Sequence, residues 1–145
     1  MRVCGVEFKN NEAIVCLLSL SDGLFDIPDC RTSRITLLDS NDRQNLKDFQ
    51  FSFNKLMTDY KVEKVIINQA PMKGKFSGGG LAFKMEATLQ LSDELDVVIM
   101  TAPEVKEVLK RNPLGIPFKE TGLKEFQQAA FNTAYAYQQR EMFAS

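Results

Sequence analysis

Two uninterrupted apolar runs constrain this chain more than any other feature: "VII" inside "EKVII" (63–67) and "VVIM" inside "LDVVIM" (95–100). A strand that is apolar at every position has no face to offer water, so both faces must be covered. That is the pattern of a parallel sheet with helices on either side. Helical spacing supports the reading. Leu46, Phe49, Phe53, Leu56, Met57 and Tyr60 recur at helical intervals before the first run, with Asn41 or Asp42 available as cap. "LAFKMEATLQL" (81–91) suits a helix between the two runs. After the second, "TAPE" offers Thr101 as a cap, a proline in the first turn and Glu104 three residues on, which predicts a helix to about Arg111.

Ahead of this alternation the chain reads differently. "RVCGVEF" (2–8) and "AIVCLLSL" (13–20) are strand patterns joined at Asn10–Asn11, a pair that tolerates the positive φ of a tight turn. "SDGLFDIPDCRTS" (21–33) reads as a long connection with turn signals, and "RITLLD" (34–39) as a third strand. "NPLGIPF" is an irregular crossing. "TGLKEFQQAAFNTAYAYQQR" (121–140) closes the pattern as a final helix, with Phe126, Ala130, Thr133 and Tyr137 in one stripe. The order β-β-β-α-β-α-β-α-α predicts a single α/β domain over 1–145: a mixed five-stranded sheet flanked by helices.

Composition removes whole classes of chemistry. With no histidine, the chain has no Ser-His-Asp or Cys-His relay and no imidazole ligand for zinc. Net charge is −1, so any binding to nucleic acid must come from a local patch. No apolar run reaches the ~20 residues of a membrane span. Three cysteines without C-x-x-C spacing predict reduced thiols and a cytoplasmic setting, with Cys4 and Cys16 as small core hydrophobes.

The element order is also that of the ribonuclease-H-like fold, and individual segments carry the likeness further. "CGVEF" resembles the first strand of crossover-junction (Holliday-junction) resolvases, which usually reads glycine-isoleucine-aspartate. "VEKVIINQAP" is similar to their fourth strand, which ends in glutamate. "LDVVIMTAPEVKEVL" resembles their fifth strand and following helix, and "LKEFQQAAFNTAYAY" their last, aspartate-bearing helix. Over nearly its full length the chain resembles a small bacterial family of unassigned function within this superfamily.

That resemblance implies a divalent-metal-dependent, nucleic-acid-processing protein of nuclease or resolvase type. Its partners would be DNA or RNA, its cofactor magnesium or manganese (Mg or Mn), and its assembly a homodimer. Carried over by position, Glu7 and the Asn68–Gln69 pair converge at the strand ends, and the catalytic set is Glu7, Gln69, Glu125 and Gln128, with Glu7 and Glu125 as metal ligands. Two carboxylates and two amides carry about half the charge that a two-metal site uses. The alternative is a non-catalytic ligand- or protein-binding module on the same fold.

One segment stands apart. Residues 64–85 hold four lysines and no acid, and "NQAPMKGKFSGGG" interleaves Lys73 and Lys75 with Phe76 ahead of three glycines. Positive charge beside an aromatic ring suits phosphates and stacked bases, which makes these three residues candidate nucleic-acid contacts. The competing readings are a solvated surface loop and a contact for a protein partner.

Overall fold

A computed structural model describes residues 1–69 and 79–142. The order is β1 (Arg2–Lys9), β2 (Glu12–Ser21), β3 (Leu24–Asp26), β4 (Arg34–Thr36), α1 (Arg43–Asp59), β5 (Lys64–Gln69), α2 (Gly79–Gln90), β6 (Val97–Thr101), α3 (Ala102–Arg111) and α4 (Gln128–Met142). Two short 3-10 turns, Phe118–Thr121 and Glu125–Gln127, lead into α4. The sheet runs β3-β2-β1-β5-β6, with β4 also on β2. β1 pairs antiparallel with β2 and parallel with β5, and β5 is parallel to β6. This is the mixed sheet that the alternation of elements predicts.

Local chemistry explains the boundaries. Asn10 adopts a φ of 55° in the turn between β1 and β2. Asp42 caps α1, its carboxylate accepting from the backbone N–H of Asn45 at 3.2 Å. Thr101 caps α3 by accepting from the N–H of Glu104 at 3.2 Å, and its hydroxyl donates to the Glu104 carboxylate.

Two expectations change. The connection over 21–33 contains β3, so among the described residues the sheet has six strands. Asp22 and Gly23 both take positive φ, 52° and 79°, which turns the chain straight back along β2 as a hairpin. The last helix starts at Gln128, because residues 121–127 spend their length on a left-handed Gly122 and a 3-10 turn.

Strand alternation divides the core between the two faces of the sheet. Cys4, Val6, Val15, Leu17, Val65 and Ile67 pack with Phe49, Phe53 and Leu56 of α1 and with Met85 and Leu89 of α2. Val3, Ile14, Cys16, Leu18, Ile66 and Met100 pack with Val105 of α3 and with Ala130, Phe131 and Ala134 of α4. Burial pushes the Cys4 thiol up and the Cys16 thiol to about 12, so both behave as apolar packing groups. No helix among the described residues is long and apolar enough to cross a membrane.

Candidate functional site

The register places one row of residues across the sheet: Arg34 pairs with Ile14, Ile14 with Glu7, Glu7 with Asn68, and Asn68 with Met100. Ile14 and Met100 belong to the face covered by α4, so alternation puts the whole row there. Glu7 and Asn68 therefore stand side by side at the carboxyl ends of β1 and β5, beneath the start of α4.

That helix comes unusually near. Gly5, two residues before Glu7 on the same face, lies against the backbone carbonyl of Ala130. One turn on, Thr133 is fully buried. Its hydroxyl donates to the carbonyl of Ala129 at 2.7 Å and accepts from the Asn68 amide at 3.0 Å. The Asn68–Thr133 bond joins β5 to α4 at the head of the site. Glu7 is half-buried, and desolvation holds its carboxyl above the usual range, with Lys9 opposing the shift. Among the described residues no salt bridge reaches it.

The other candidates fall elsewhere. Gln69 shares a strand face with Val65 and Ile67, so it points to the α1–α2 side of the sheet, away from Glu7. Glu125 and Gln128 are exposed and line a shallow cavity of about 500 Å³ with Lys119 and Phe118, a cavity whose lining does not include Glu7. Glu125 belongs to a 3-10 turn that runs directly into α4, so it and Gln128 do share one side of the chain, but that side faces this cavity. Lys73, Lys75 and Phe76 lie outside the described residues.

Of the Asn68–Gln69 pair it is Asn68 that lies beside Glu7, and the α4 residue bonded to it is Thr133. Thr133 had a visible signal, a hydroxyl on an otherwise apolar helical stripe that needs a partner. Gln127, between the two chosen helix residues, is buried and structural: its amide donates to the Val15 carbonyl at 3.0 Å and its carbonyl accepts from the N–H of Lys124 at 3.1 Å.

Residues 1–137 match a family described as "Protein of unknown function (DUF3010)". The chain belongs to the DUF3010 family. No curated protein sequence matches it. Among solved structures the chain is similar to Thermus thermophilus RuvC, with a TM-score of 0.73 at 10% identity, covering 98% of this chain and 96% of that one. T. thermophilus RuvC in complex with Holliday junction substrate matches at 0.72 and 12% identity over 99% and 97% of the two chains. Fowlpox virus resolvase, solved with Holliday junction DNA, matches at 0.54 and 10% over 99% and 100%. At such identities the likeness establishes the fold: this DUF3010 chain has the ribonuclease-H-like architecture of the resolvases.

A magnesium or manganese pair, which the resemblance implies, needs several carboxylates whose charge balances the ions. Here β1 supplies one carboxyl, β5 an amide and α4 a hydroxyl, so the set carries a single negative charge at most. Among the described residues no three acidic or thiol side chains gather into a group able to hold a metal ion. The donor set does not fit a two-metal centre.

Proposed function

We propose that this DUF3010 chain binds structured nucleic acid at the carboxyl end of its sheet and does not cut it efficiently. The observation that carries this reading is the Asn68–Thr133 hydrogen bond beside Glu7. In a site of this fold the chemistry of cleavage calls for converging carboxylates, and here an amide hydrogen-bonded to a hydroxyl stands beside the one carboxyl. The fold shared with proteins solved on Holliday junction DNA supports nucleic acid as the partner. Fold alone does not decide activity, so the side chains argue for binding over hydrolysis.

The test uses labelled four-way junction, single-stranded DNA and RNA–DNA hybrid with manganese present. Binding is read by fluorescence anisotropy and cleavage by gel, for the native chain and Glu7→Ala. Saturable binding, with no cleavage above that of Glu7→Ala, is the expected result. Cleavage that depends on Glu7 would restore the nuclease reading. Failure to bind any of the three substrates would sink the nucleic-acid reading.

A further inference from the structure

Arg34 opens β4, in the same row as Glu7 and two strands away, about 10 Å at the usual strand spacing. Its guanidinium lies over the Phe126 ring, with Cζ 4.0 Å from the ring centre. Phe126 is in turn packed against the α4-side core. The backbone is fixed as well, since the Thr32 hydroxyl donates to the Arg34 carbonyl at 2.8 Å and accepts from its N–H at 3.3 Å. Among the described residues no carboxylate pairs with Arg34. An arginine held over an aromatic ring, with its guanidinium N–H groups making no hydrogen bond among the described residues, has less side-chain freedom left to lose on binding.

Among the described residues Lys124 is a second cation with no ion pair on this side of the molecule. Lys124, two residues before Phe126, lines a cleft of about 610 Å³ with Ser33, the neighbour of Arg34, and with Thr32 and Thr121. Arg31 lines the same cleft, but it is already committed: it pairs with Asp59 at 2.7 Å and lies over Tyr60. Among the described residues Arg34 and Lys124 form no ion pair and both stand at the corner between β4 and the turn leading into α4, where the exposed carboxylate of Asp29 lines the same cleft and opposes part of their field. In a chain of net charge −1 such a corner is where an anion would be held.

We propose that Arg34, braced on Phe126, together with Lys124 binds a backbone phosphate of a nucleic-acid strand that reaches the Glu7 end of the sheet. This rests on the nucleic-acid reading above and adds the residues that grip the strand. A planar fork matches two phosphate oxygens at once, and a lysine beside it adds a point charge. Glu125, exposed and next to Lys124 in the chain, opposes that field.

The experiment is a salt titration of four-way junction binding, read by anisotropy, for the native chain, Arg34→Gln, Arg34→Lys, Lys124→Gln and Glu125→Gln. Each phosphate contact contributes about 0.9 to the slope of log affinity against log salt. Arg34→Gln should weaken binding about tenfold and lower the slope by about 1. Lys124→Gln should lower the slope with a smaller loss, and Glu125→Gln should tighten binding. Arg34→Lys should keep the slope and lose part of the affinity, because charge survives and the braced fork does not. Lys124 is exposed, so its removal leaves the fold intact and keeps the test interpretable. Binding by the native chain with affinity and slope unchanged in both glutamine variants of the cations would overturn this assignment alone. No binding by the native chain would overturn the underlying reading, and the assignment with it.

Discussion

A side chain on Gly5 would overlap the carbonyl oxygen of Ala130, so β1 and α4 meet backbone to backbone at this point. The contact explains why the residue before the Val6–Glu7 pair carries no Cβ, and it sets the height of α4 above the site.

Gly5→Ala should therefore be one of the most damaging small substitutions in the chain. The obstacle is backbone in a helix packed along its length, which cannot rotate aside as a side chain would. A loss of about 3 kcal/mol is expected, measured as a shift in the urea midpoint with unchanged slope. A loss below about 0.5 kcal/mol would mean that α4 slides freely over the sheet.

Removing the Thr133 hydroxyl should expose how strongly β5 and α4 are tied. Thr133→Val keeps the volume but leaves the Asn68 amide without that acceptor, a cost of about 1–2 kcal/mol. A double-mutant cycle with Asn68→Ala should return a coupling of about 1 kcal/mol. Additive losses would show that the bond contributes nothing.

Restoring charge should restore ion affinity. Asn68→Glu would set a second carboxyl beside Glu7 on the neighbouring parallel strand. Manganese binding followed by electron paramagnetic resonance should be at least about tenfold tighter than in the native chain, since hard cations respond first to carboxylate count. Equal affinity in the two proteins would show that the strand-end pair does not set ion binding.

Glu86 offers a test of opposite sign. It lies on α2 with 9% of its surface exposed, and its Oε1 has no hydrogen-bond partner among the described residues. Burial raises its carboxyl above the ordinary value. A raised carboxyl gives its full support to the fold below the unfolded-state value, and that support is lost as pH climbs through the folded-state one. Glu86→Met should thus stabilise the protein by about 1 kcal/mol at neutral pH, raising the melting temperature by about 3 °C. The advantage should shrink as pH falls through the carboxylate range. A destabilised variant at neutral pH would show that the carboxylate is satisfied in solution.

Much of this fold is legible in the sequence because its elements agree with their local chemistry. The apolar runs before Asn68 and Thr101, the Asp42 and Thr101 caps and the asparagine turn at Asn10 each point one way. The site is less legible for a physical reason. Asn68 and Gln69 are adjacent amides at a strand end, and a shift of one residue in phase moves a side chain to the other face of the sheet. Phase is set by Ile66 packing under α4, a contact between residues far apart in the chain. β3 is three residues long, too short for alternation to register, and the 3-10 turn before Gln128 carries the same residue types as the helix after it.

The dependence of the first strands on α4 also bears on how the protein is made. Gln138 donates to the carbonyls of Met1 and Leu18, while Ala130 and Ala134 cover Gly5. Until α4 leaves the ribosome, Val3, Ile14, Cys16, Leu18 and Ile66 have only part of their cover. The nascent chain thus presents an apolar sheet face until α4 is made, and its closure waits on contacts spanning more than a hundred residues. Such a protein should fold late, all at once, and lean on chaperones that shield apolar surface during translation.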